Sequence, residues 1–133
     1  MAMDTAGNLY AVVNLSVIRK MSPSGVWTTL AGQALAQGGW VDGEGAQARF
    51  QQITALAVDG LGNLYALESR EGRIRKITAQ GRVSTLAQGL DQIWGIAVDA
   101  SGVVYAADMT ANLVRKIASD GTMSILPGSS GTL

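Results

Sequence analysis

The chain is 133 residues long, enough for one modest domain that buries roughly two-thirds of the surface its unfolded form exposes. Ten Lys and Arg balance ten Asp and Glu, so the formal net charge is +0 and the basic footprint of a protein that grips phosphate backbones is missing. Without cysteine or histidine there is no disulfide framework and no thiol chemistry, and neither zinc hydrolysis nor histidine-based nucleophilic catalysis has its usual participants.

In chain order the elements repeat. Met1-Ala2-Met3 reads as the end of a strand, Asp4 to Gly7 as a tight turn, and Leu9-Tyr10-Ala11, Val17-Ile18-Arg19-Lys20 and Trp27-Thr28-Thr29-Leu30 as further strands, the last two separated by a turn at Gly25. A linker containing Asp42-Gly43-Glu44-Gly45 leads into a short element, Ala46 to Phe50. The pattern then restarts: Ile53 to Val58, a turn from Asp59 to Gly62, Leu64-Tyr65-Ala66, Arg73-Ile74-Arg75-Lys76-Ile77, Gly81, and Val83 to Leu86. It restarts once more with Ile93 to Val98, Asp99 to Gly102, Val104-Tyr105-Ala106, Leu113 to Ile117, Gly121, and Met123 to Leu126. Self-similarity with a period of about forty residues makes the chain a repeat architecture.

The turns have a mechanism. In Asp-x-x-Gly the aspartate bonds the turn backbone and the glycine accepts positive φ, which suits hairpins. Asp4, Asp59 and Asp99 are therefore structural repeat residues. Runs such as Ile53 to Val58 and Ile93 to Val98 are apolar on both faces, as strands are when each sheet is covered on both sides. The expected fold class is all-β: three four-stranded antiparallel sheets arranged radially as β-propeller blades, with the first strand of each innermost. The divisions are 1–32 for blade one, 33–52 for the linker, 53–89 for blade two, 90–128 for blade three and 129–133 for a tail.

Gly-Ile-Ala-Val-Asp, Gly-Asn-Leu-Tyr-Ala, Arg-Ile-Arg-Lys-Ile and Gly-x-Val-Ser-Thr-Leu-Ala, with the linker phrase Asp42 to Phe50, resemble the NHL-repeat β-propeller family over nearly the whole chain. Two features of that family differ here: its histidine before the arginine strand is missing, and of the acids after the tyrosine strand Asp108 remains while Glu68 and Val13 stand at the other two places. The resemblance implies rings of six blades, so three blades span half a turn. Two broad apolar faces are then left open, and a homodimer in which two chains complete a six-bladed ring is expected.

Candidate sites are few. Adjacent residues in a strand point to opposite faces, so the pairs led by Arg19, Arg75 and Arg115 cannot act as one cationic patch; pairing of Arg115 with Asp108 and of Arg75 with Glu68 is expected instead. Asp42 and Glu44 lack a calcium-loop spacing, and no metal or cofactor is expected. Ser69 and Ser101 have no evident base, and no catalytic residue is assigned. The repeated Tyr10, Tyr65 and Tyr105 read as blade-to-blade packing, each hydroxyl reaching a backbone partner. Trp94 and Trp40 break the repeat and are the candidate ligand contacts. The expected function is a non-catalytic, self-assembling scaffold or protein-binding half-propeller, including the case of a piece excised or engineered from a longer one. The alternative is a small-molecule or carbohydrate binder, or a lactonase- or lyase-like enzyme, at the channel mouth. Nucleic acid is not an expected partner. No apolar stretch is long enough to cross a bilayer, Met1 to Val13 lacks the pattern of a secretory leader, and no compartment is assigned.

Overall fold

The computed structural model describes residues 1–33, 40–90 and 92–126, so the predicted tail at 129–133 lies outside the described residues. Blade one consists of β1 (Ala2–Met3), β2 (Leu9–Val13), β3 (Val17–Met21) and β4 (Trp27–Gly32). The linker adds β5 (Gly43–Glu44) and a single 3-10 turn, Gly45–Gln47. Blade two follows with β6 (Ile53–Val58), β7 (Leu64–Glu68), β8 (Arg73–Ile77) and β9 (Arg82–Ala87), and blade three with β10 (Ile93–Val98), β11 (Val104–Asp108), β12 (Leu113–Ile117) and β13 (Met123–Ile125). Within each repeat the four strands pair antiparallel in sequence order.

One strand was not expected. β5 pairs antiparallel with the outer edge of β9, Gly43 opposite Val83 and Glu44 opposite Arg82, so blade two carries a fifth strand supplied by the linker. Short-range patterning does not announce it, because two residues form no periodicity and the pairing is decided by a partner forty positions away.

The Asp-x-x-Gly turns close as hairpins. The Asp59 carboxylate accepts the backbone N–H groups of Leu61 and Asn63, each at 2.9 Å, and Gly62 sits at φ 86°, where a side chain would be strained. Asp4 and Asp99 do the same in their own turns.

Cross-strand register sorts the side chains into rows. Val58, Leu64, Ile77 and Val83 lie opposite one another across blade two, and Val98, Val104, Ile117 and Met123 across blade three. The blade-two row packs on Tyr10, Ile18 and Ala31 of blade one, while Val98, Val104 and Ile117 pack on Tyr65, Leu67 and Ile74 of blade two. Two cores therefore lie between the blades, as expected where alternate residues of one strand serve opposite faces. The first strands adjoin, with β1 and β10 both against β6. At the second junction, Gly72 (φ 64°) lets the Leu90 carbonyl oxygen approach to 1.7 Å from where a Cβ would stand.

Candidate functional site

Trp94 belongs to a cleft between blades two and three. The β10–β11 register slips between Ile93 and Gly95, so Trp94 is the extra residue of a β-bulge, and the β6–β7 register slips in the same way at Thr54. The bulge releases Trp94 from the alternation and leaves it 74% exposed. Thr54, Ser69, Arg70, Leu90, Gln92, Ile93 and Trp94 line a space of about 550 Å³. The arrangement offers an aromatic face, one guanidinium and hydroxyl and amide groups, a set suited to a ring-bearing polar ligand.

Trp40 goes elsewhere. Its ring lies under the guanidinium of Arg73, 4.2 Å from centroid to Cζ, and 5.6 Å from that of Arg75, so it helps clamp the linker to blade two. The structure thus does not bring the two candidate tryptophans into one site.

Arg75 is the centre of that clamp. Its fully buried side chain donates to Glu68 Oε1 at 3.2 Å and Asp42 Oδ1 at 2.8 Å, and to the carbonyls of Val41 and Arg49, each at 2.9 Å. Glu68 also accepts from Arg73 Nε at 3.0 Å and from the backbone N–H of Gln51, while Thr85 donates its hydroxyl to Asp42 at 2.9 Å. Phe50 is buried in the core beneath, and Arg49 bonds the local carbonyls of Ala46 and Ala48. Blade three carries a reduced version, in which Arg115 Nε lies 3.0 Å from Asp108 Oδ2. In blade one the acid is replaced by Val13. There Arg19 has no ion pair among the described residues; its Nε is buried without a hydrogen-bond partner, as is Arg75 Nε in blade two.

The tyrosines correct one expectation. Tyr10 and Tyr65 are buried, but each hydroxyl donates to the turn aspartate of its own blade at 2.9 Å, Asp4 and Asp59 respectively, rather than to a backbone group. Carboxylate and phenol lie six residues apart, close enough across the hairpin for the stronger charge-assisted bond to win. Burial raises the Asp59 carboxyl, but hydrogen bonds from Asn63, Tyr65 and Leu61 outweigh it and hold the group below its ordinary value. Burial and then Asp4 push Tyr10 up to about 12, and burial and then Asp59 raise Tyr65 as well. Among the described residues, no three acidic side chains gather into a group that could hold a metal ion.

One face of blade one differs from its repeats. Met3, Leu9, Met21 and Trp27 form the row equivalent to Val58, Leu64, Ile77 and Val83. Leu64, Ile77, Val104 and Ile117 are fully buried where their counterparts Leu9 and Met21 are half-buried; Met3 is 63% exposed, and Trp27, at 43%, is open like Met123 of blade three but unlike the buried Val83 of blade two. An apolar sheet face of this kind is open in the described chain.

No family model matches the chain, and no curated protein matches it. Solved structures do. A selenomethionine-substituted virginiamycin B lyase from Staphylococcus aureus matches at 15% identity and TM-score 0.64, over 96% of this chain and 41% of that one. An auxiliary nutrient binding protein from Bacteroides thetaiotaomicron matches at 21% identity and TM-score 0.67, over 87% and 34%. A calcium-binding protein, regucalcin, from Agrobacterium tumefaciens matches at 16% identity and TM-score 0.60, over 97% and 45%. The chain therefore spans less than half the length of these propeller proteins, and the likeness establishes the fold: three antiparallel blades of a β-propeller.

Proposed function

We propose that this chain is a non-catalytic, self-assembling half-propeller of NHL-repeat type, a scaffold or protein-binding module whose ring is completed by a second copy. The observation that carries the reading is the open row Met3, Leu9 and Met21, whose counterparts Val58, Leu64 and Ile77 in blade two and Val98, Val104 and Ile117 in blade three are packed against a neighbouring blade. At the other end, Tyr105 is half-buried where Tyr10 and Tyr65 are 1% exposed, because no further blade of the described chain covers it. Blade three of each copy meeting blade one of the other is a closed two-fold arrangement, and two such junctions bury about 2,000 Å² or more, an area at which folding and association are linked. Light scattering on the eluting peak tests it. The expected mass is twice the 13.8 kDa of one chain, falling to one chain in Leu9→Asp; a well-folded monomer of the unaltered chain at low micromolar concentration refutes it.

A second reading is favoured by the bulge-exposed Trp94. The cleft it lines suits a sugar or a small ring-bearing ligand, and the fold is shared with lyase and nutrient-binding propellers. Glycan arrays and esterase and lactonase screens, each with and without divalent metal, separate this from the scaffold. A hit that disappears in Trp94→Leu would establish the cleft as a site.

A further inference from the structure

Blade two shows how this repeat receives an extended acidic segment. The segment's Asp42 places one carboxylate oxygen 2.8 Å from Arg75 Nη2 and 2.9 Å from the Thr85 hydroxyl, and β5 extends the sheet along Arg82 and Val83. Three things make the receptor: a buried guanidinium, a hydroxyl opposite it on the outer strand, and a free outer edge.

Blade one holds counterparts of all three unfilled, with Arg19 half-buried where Arg75 is fully buried. Arg19 lies opposite Ala11 and Thr29, as Arg75 lies opposite Ala66 and Thr85. β4 is the edge strand of its sheet, with Val26 and Trp27 standing where Arg82 and Val83 take up β5; they are 59% and 43% exposed. The intrablade acid is gone, since Val13 replaces Glu68, and Arg19 has no ion pair among the described residues, whereas Arg75 has Glu68 and Asp42; the buried, unbonded Nε is common to both arginines, so the missing carboxylates are what set Arg19 apart. A guanidinium is always charged, and a carboxylate is the partner that answers both its charge and its forked geometry, as Glu68 and Asp42 do for Arg75. By strand alternation Arg19 shares the open face with Met21, so polar and apolar features of one surface point to the same kind of occupant.

We propose that blade one docks an extended acidic strand in trans, of the aromatic-x-Asp-Gly type that residues 40–43 display to blade two, with its aspartate bridging Arg19 and Thr29 and its backbone pairing along β4. The inference rests on the open face of blade one being an interface, but not on the occupant being a second copy of the chain.

The probe is a labelled peptide with the sequence of residues 40–47, titrated by fluorescence anisotropy into the full chain and into Tyr105→Arg. That variant alters the far face of blade three and so blocks ring closure while leaving blade one untouched. Saturable binding is expected in the variant, weakened about tenfold or more by Arg19→Met, by Val13→Glu, which supplies a competing intrachain carboxylate, and by replacing the peptide's aspartate with asparagine. Val13→Glu keeps the test valid even where Arg19→Met unfolds, because it restores the pairing found in blades two and three. No binding to either chain up to about 1 mM, or binding indifferent to these changes, overturns the proposal. A monomeric unaltered chain that still binds the peptide through Arg19 sinks ring closure alone.

Discussion

Replacing Arg75 with methionine removes the guanidinium and keeps the length of the buried stem. Four hydrogen bonds go with it, to Glu68, Asp42, and the carbonyls of Val41 and Arg49. Their nominal values do not simply add. Glu68 keeps Arg73 and the Gln51 N–H, so it is not stranded, and the Asp42 side chain is 46% exposed, so its pair with Arg75 contributes little on its own. What remains is the cost of two carbonyls losing their donors and a buried carboxylate losing one of two cations, about 3 kcal/mol by analogy with broken buried pairs. For a domain of this size that is a fall in Tm of about 10 °C. Urea unfolding at fixed protein concentration measures it, since association shifts the midpoint. Emission from Trp40, stacked on Arg73 in the same clamp, reports release of the linker. Arg75→Lys should recover little, because an ammonium cannot span carboxylate and carbonyls at once, and Asp42→Asn should cost under about 1 kcal/mol. A loss below about 1 kcal/mol in Arg75→Met, with Trp40 emission unchanged, would refute the view that Arg75 holds the linker in place.

Gly72→Ala should cost about 3 kcal/mol or more, since the new methyl meets the Leu90 carbonyl oxygen at 1.7 Å in a left-handed backbone; chemical denaturation checks it, and a near-neutral result means the junction can yield. Asp108→Ala should destabilise more than Arg115→Ala, by about 1–2 kcal/mol, because the carboxylate also accepts the backbone N–H groups of Thr110 and Ala111 at 3.0 Å while the Arg115 side chain is 32% exposed; equal losses would place the strength in the ion pair. Asp4, Asp59 and Asp108 have carboxyls held below 3.8 in the fold, so their contribution is present above that pH and is lost as pH falls through the lower folded values. Tyr10 and Tyr65 run the other way: their contribution is present below 10.0 and is lost as pH rises, through about 12 for Tyr10 and higher still for Tyr65, so Tyr10→Phe and Tyr65→Phe should blunt the alkaline limb of a stability profile. An alkaline limb unchanged in both variants would count against the carboxylate–phenol bonds.

The strands, the hairpin turns and the pairing of Arg75 with Glu68 and Arg115 with Asp108 were all legible in the residues, because each depends on neighbours within one repeat. Elements joined by tight turns have few places to go, and two copies of a phrase that fold alike expose their shared logic. The site was less legible. Trp94 stood out as a break in the repeat, but its exposure comes from a register slip in β10, which alternation alone places one residue out of step. The capture of the linker by β9 escaped the sequence because β5 is two residues long and meets a strand far along the chain.

By itself, then, the sequence determined the repeat unit, the four-strand meander and the positions that turn. Tertiary structure decided which faces of those units are satisfied. Whether a methionine row or an arginine is buried or bare depends on what stands beside its sheet, and that neighbour belongs to another blade. Local chemistry shapes each blade alike, whereas packing distinguishes blade two, enclosed on both sides, from blade one, where Met3, Trp27 and Arg19 carry the same repeat positions without the same company.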